Sequence, residues 1–181
     1  MSQGAIAHGG SFVNQLVLRF AGSLARTCEV LAALLVGVAI VVNLAQVFWR
    51  YVLNDPLEWS EEVMRYTMAW VAFVAGSAAV FRGEHMAAGM LGGIDSRVAR
   101  LALHYAILLV MLAFAAILAF YGTRYGLDTG QVSPASGIPM EVPYLSVGIG
   151  GILMTIKILC LLVLPPSMVP QPGGPRPEDM A

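Results

Sequence analysis

The sequence predicts an all-α integral membrane protein with four transmembrane helices. Hydrophobic residues make up 58% of the 181 residues, charged residues only 12%, and the mean hydropathy is +0.76. A soluble domain carries about 25% charged residues, so this chain has too little charge to cover a surface in water. The net charge of −1 argues against nucleic acid as a partner and leaves the lipid bilayer as the expected surrounding.

Residues 1–27 are expected to form a cytoplasmic N-terminal tail that contains an amphipathic helix. Between Ser11 and Arg26, large apolar residues recur every four positions: Phe12, Leu16, Phe20 and Leu24. This spacing is typical of a helix that lies in the membrane interface. A frayed tail is the alternative, because the segment carries few charges.

Residues 28–164 are expected to form the membrane domain, with apolar runs at 30–49, 57–81, 101–121 and 142–164. About 20 apolar residues cross the hydrocarbon core of a bilayer. The second run is apolar only from Tyr66, so its first turns must lie among headgroups or face protein. Lys157, near the end of the fourth run, is expected to snorkel to the headgroups.

The connections between the runs complete the predicted topology. The one long connection, residues 122–141, is rich in glycine and proline and is expected to be a loop. Pro165 and Pro166 end the last helix, so residues 165–181 are expected to form a flexible cytoplasmic tail.

The distribution of arginines predicts that both termini are cytoplasmic. Basic residues concentrate in cytoplasmic loops of membrane proteins. With the N-terminus inside, six arginines fall on the cytoplasmic side: Arg19, Arg26, Arg82, Arg97, Arg100 and Arg176. Three fall on the opposite side: Arg50, Arg65 and Arg124.

A turn and a helix start are predicted between the first two runs. Asn54 or Asp55 can cap the second helix, and Pro56 suits its first position. The carboxylates that follow would then lie near the positive end of the helix dipole.

Charged residues cluster around this turn. Glu61 and Arg65 have the spacing of a helical ion pair, and Arg50 could pair with Glu61 or Glu62 across the hairpin. Three interpretations stay open: an interfacial cluster with local pairing, a docking site for another membrane subunit, and an ion pathway. Ion-carrying carboxylates usually lie deeper in the membrane.

Two further patterns suggest contacts between helices. Asn43, Gln46 and Arg50 share one face of the first run and form a polar seam that needs a protein partner. Small residues, Gly76 among them in the second run, and Ser146, Gly150 and Gly151 in the fourth, would let helices approach closely. Trp59 is expected to anchor the chain at headgroup level.

His85 and His104 leave one redox interpretation open, because two histidines on adjacent spans can ligate haem. No cofactor is expected, since solvated or interfacial histidines explain both positions. Cys28 and Cys160 are expected to be buried free thiols.

The stretch FWRYVLNDPLEWSEEVMRYTMAWVAFVAGSAAVFRGEHM, residues 48–86, resembles the signature region of the small permease subunit of tripartite ATP-independent periplasmic (TRAP) transporters, the DctQ-like family. The likeness rests on four features: an Arg-Tyr pair that closes the first run, Trp59 with Glu61 and Glu62 at the start of the second, Arg65 followed by a Trp-x-x-Phe motif at Trp70 and by Gly76, and an Arg-Gly-Glu-His turn. The later segment GIPMEVPYLSVGIGGILM, residues 137–154, is similar to the last span of that family.

The resemblance implies a subunit rather than an enzyme, in the inner membrane of a bacterium. It implies two protein partners, a large multi-span permease subunit and a periplasmic substrate-binding protein. It further implies uptake of organic acids such as C4-dicarboxylates, driven by an ion gradient, usually of sodium. The substrate and sodium sites would belong to the large subunit, while the small subunit braces it and offers surface to the binding protein.

The predicted functional residues follow from these patterns. Those of the subunit interface or structural clamp are Asn43, Gln46, Arg50, Trp59, Glu61, Glu62, Arg65, Trp70 and Gly76. A polar turn predicted at the cytoplasmic end contains Arg82, Glu84 and His85. The alternatives are a haem-binding membrane anchor of a respiratory oxidoreductase and a small exporter that acts as a homodimer.

Overall fold

The computed structural model describes residues 4–81 and 97–164. Four α-helices lie in this part of the chain: α1 (Gly4–Phe48), α2 (Glu58–Phe81), α3 (Arg97–Asp128) and α4 (Glu141–Val163). Each contains a segment that is long and apolar enough to cross a membrane, which confirms the predicted four spans. The polar turn at Arg82, Glu84 and His85 and the tail from residue 165 lie outside the described residues.

The first helix is longer than predicted. Its 45 residues extend over about 67 Å at 1.5 Å per residue, roughly twice what a bilayer core requires. The proposed amphipathic segment runs into the first span without a break. An orientation of residues 11–26 along the membrane surface stays a prediction.

A π-helical turn, Trp49–Leu53, ends α1 and begins the reversal of the chain. Asn54 follows with φ 56° and ψ 25°, and its N–H donates to the carbonyl of Trp49. Asparagine tolerates this left-handed conformation better than most residues. The helix start differs from the prediction, because Asn54 closes the preceding turn and α2 begins at Glu58, two residues after Pro56.

The helices lie side by side in the order α1, α2, α4, α3 among the described residues. α1 packs on α2, α2 packs on α4, and α4 packs on α3, while α1 also touches α4. Each helical hairpin, α1–α2 and α3–α4, is antiparallel, so α2 and α4 run in the same direction. The two hairpin connections therefore lie at one end of the row, which we call the loop end.

Helix α3 continues to Asp128, seven residues beyond the apolar run that predicted it. The predicted loop at 122–141 is therefore shorter, spanning residues 129–140. Gly122 and Gly126 indicated a turn but lie inside the helix. A Cβ at Gly122 would meet the backbone nitrogen of Gly148 at 2.6 Å, so this glycine serves helix packing rather than chain reversal.

Candidate docking site at the loop end

One face of α2 holds the loop of residues 129–140 and the start of α4. The carboxylate of Glu62 accepts hydrogen bonds from the hydroxyl of Ser133 and from the backbone N–H of Ser136, the latter at 3.1 Å. One turn later, the hydroxyl of Tyr66 lies 3.5 Å from the sulfur of Met140. A further turn on, Trp70 donates from Nε1 to the carbonyl of Val142 at 3.2 Å.

The loop also carries its own backbone hydrogen bonds. Val132 and Pro139 form an isolated antiparallel bridge, and the N–H of Ser133 donates to the carbonyl of Ile138 at 3.0 Å. Gly137, with φ 67°, allows the tight reversal between them and donates to the carbonyl of Ser133 at 3.1 Å. The loop is therefore fixed both internally and by α2.

A second feature is a small cleft of about 380 Å³ between the end of α1 and the start of α2. Its polar lining residues are Gln46, Arg50, Glu58 and Glu61, and Pro56 and Leu57 complete it. Gln46 and Arg50 thus face the same space. Asn43, one turn earlier in α1, is exposed.

The ion pairs predicted within this cluster do not form. Within the described residues, no carboxylate lies within ion-pair distance of Arg50 or Arg65. Glu62 faces the loop instead of Arg50, and the guanidinium of Arg50 lies 6.0 Å from the ring centre of Tyr51. Exposed pairs of this kind contribute only about 0–1 kcal/mol, too little to order long side chains in water.

The other predicted interface residues divide between the surface and the interior of the chain. Trp59 is 42% exposed, in keeping with a position at headgroup level, and Arg65 is exposed. Trp70 contacts the start of α4. A Cβ at Gly76 would lie 3.2 Å from the terminal methyl of Met154, so Gly76 faces α4 rather than another protein.

The glycines of α4 allow its close contacts with both neighbours. A Cβ at Gly150 would lie 2.5 Å from the Cβ of Phe73 in α2, and one at Gly151 would lie 2.5 Å from the backbone nitrogen of Ala119 in α3. These distances are too short for any side chain. The small residues predicted to mediate helix contact therefore do so within this chain.

Lys157 is not at the surface, contrary to the expectation that it reaches the headgroups. It is fully buried, and its Nζ donates to Ser77 Oγ at 3.0 Å and to Cys28 Sγ at 3.4 Å. Ser77 in turn donates to the carbonyl of Val74 at 2.7 Å. Lys157, Ser77 and Cys28 thus join α4, α2 and α1. The only sign of this contact in the sequence is a cation inside an apolar run.

His104 is buried, and its Nε2 has no hydrogen-bond partner in the structure. His85, the second histidine of the haem interpretation, lies outside the described residues. Of the two predicted buried thiols, Cys28 is buried and Cys160 is partly exposed.

The comparisons with known proteins identify the family. Residues 39–165 match the family described as "Tripartite ATP-independent periplasmic transporters, DctQ component". A Haemophilus influenzae protein, named provisionally as a TRAP transporter small permease protein, is 23% identical over 140 residues, covering 76% of this chain and 86% of that protein.

The family match covers the end of α1 and all of α2, α3 and α4, together with both connections at the loop end. It thus includes every residue that carried the resemblance, and it favours a transporter component over an enzyme or a haem-binding anchor. The chain belongs to the DctQ family, the small permease components of TRAP transporters.

Proposed function

We propose that this chain braces the large permease subunit of a TRAP transporter in the bacterial inner membrane and helps to dock the periplasmic substrate-binding protein. The assembly imports organic acids, such as C4-dicarboxylates or other carboxylates, and an ion gradient, of sodium in the proposal, drives the uptake. Membership of the DctQ family supports association with other TRAP components.

The proposed orientation places both termini in the cytoplasm and the loop end in the periplasm. It rests on the count of arginines in the sequence, which assigns six to the side of the two termini and three to the side of the loop end. The exposed pair of Arg124 and Asp128, at 3.7 Å, suits a position near the headgroups at the end of α3. The loop of residues 129–140 then faces the periplasm.

The observation that carries the bracing role is the exposed polar surface along α1 and the start of α2. Asn43 is exposed in the first span, where lipid offers its amide no hydrogen-bond partner. Arg50 and Glu61 line a cleft one to two turns further toward the loop end, without ion-pair partners in the described part of the chain. A polar face of this kind suits a membrane partner that supplies the missing donors and acceptors.

Replacing Arg65 with leucine tests this docking surface. We expect Arg65→Leu to reduce recovery of the large permease subunit with the affinity-tagged chain by at least about tenfold, because a hydrogen bond to a charged group contributes about 1.5–3 kcal/mol. The measurement is co-purification from membranes at equal expression of both subunits.

The matched control is Arg124→Leu, which removes an exposed arginine at the same end of the row but on the opposite edge, α3. Recovery of the large subunit should stay at the level of the unmodified chain. Equal recovery with both variants would contradict docking through α2, and a loss confined to Arg124→Leu would move the interface to α3.

A further inference from the structure

The loop of residues 129–140 presents apolar groups on a fixed backbone. Val132 is 61% exposed, and Pro134 and Ala135 at the tip are also exposed. The segment TGQVSPASGIPM contains no charged residue. A loop that is already ordered loses little conformational entropy when a partner covers it, so this tip is suited to contact with another protein.

The position of the loop distinguishes between two kinds of partner. The loop leaves α3 at one edge of the row, yet Ser133 and Ser136 bond to Glu62 on α2, beyond α4. The loop therefore crosses the end of the row and does not lie along a side. A membrane subunit packs against the sides of helices, whereas a soluble protein meets the end that projects from the bilayer.

We infer that Glu62 is a positioning residue that holds this loop as a contact surface for the soluble substrate-binding protein. The inference rests on the proposed function, which supplies that partner and its approach from the loop end. It gives Glu62 a task different from that of the exposed cluster at Arg50 and Glu61, which faces the membrane partner.

The contact is tested with the two-subunit membrane complex in nanodiscs and the purified binding protein of the same transporter. Val132→Asp places a charge on the apolar tip and should weaken binding at least tenfold. Glu62→Ala should weaken it several-fold and speed hydrogen exchange at the Ser136 amide, which loses its acceptor. Glu62→Gln keeps an acceptor oxygen and should restore most of the binding and most of the protection.

Asp128→Asn is the control, since it removes a carboxylate at the same end that pairs with Arg124 rather than with the loop and is 74% exposed. Its binding should match that of the unmodified complex. Unchanged affinity for both Val132→Asp and Glu62→Ala, with the complex intact, would overturn the inference. Loss of the large subunit with Val132→Asp would also overturn it, because the loop would then belong to the membrane interface.

A different result would refute the proposed function. If the unmodified chain recovers no large subunit, the membrane complex to which the binding protein would dock does not form, and both the proposed function and the inference are refuted. If the complex forms and binds the soluble protein but ignores the loop substitutions, only the inference is refuted.

Discussion

Replacing Gly148 with alanine is expected to destabilise the chain by about 3 kcal/mol, the upper part of the range for overpacked sites. The added Cβ would lie 2.4 Å from Thr123 Oγ1 and 2.6 Å from the Thr123 backbone nitrogen. Backbone cannot move aside as a flexible side chain can, so α3 and α4 must separate. The measurement is the apparent melting temperature of the purified chain in detergent.

Gly37→Ala is the matched control, because a Cβ at this position of α1 meets nothing within 4 Å. Alanine favours a helix over glycine by about 1 kcal/mol, so this variant should melt at the same temperature or slightly higher. If both alanine variants melted alike, the close contact of α3 with α4 would be refuted.

Replacing Ser77 with alanine is the second change with a large expected effect. It removes the 3.0 Å acceptor of the Lys157 amine inside the row, where both side chains are fully buried. Hydrogen bonds to charged groups contribute about 1.5–3 kcal/mol, so we expect a loss of about 2 kcal/mol. The free energy of unfolding, followed by thermal or denaturant unfolding in detergent, measures it.

A double-mutant cycle with Lys157→Met separates the hydrogen bond from simple packing. Methionine fills similar space without a charge, and replacing both partners of a buried hydrogen bond with apolar groups of similar shape can be nearly neutral. Ser77→Ala should therefore cost much less in the Lys157→Met background. An equal loss in both backgrounds would mean that the amine and the hydroxyl are not coupled.

The four spans followed from the sequence because hydropathy alone decides which segments cross a bilayer. The second and fourth helices match their apolar runs to within one residue at each end. The family resemblance was likewise carried by local motifs, and the match over residues 39–165 confirms it.

The pairing of side chains could not be predicted in the same way. Glu62 lies 71 residues from Ser133 in the sequence, and the sequence offered Arg50 as its partner instead. The choice depends on α4 lying between α2 and α3, an order that no local pattern encodes. Lys157 was placed wrongly for the same reason, since its partners come from α1 and α2.

The glycines give an intermediate case. The glycines of α4 indicated helix contact, which the structure bears out, but the glycines at the end of α3 indicated a loop. Gly122 and Gly126 lie opposite the backbone of Gly148 and the side chain of Leu145. Only the packed structure distinguishes a glycine that turns the chain from one that lets two helices approach.

Native mass spectrometry of the affinity-purified chain, expressed with its genomic neighbours and released from detergent, tests the central claim most directly. We predict one copy of this 19.3-kDa chain bound to one large permease subunit. A particle of twice the chain mass would instead indicate a homodimeric exporter, and an added haem mass would indicate a redox anchor. Either of these results, without a large permease subunit, would contradict the account.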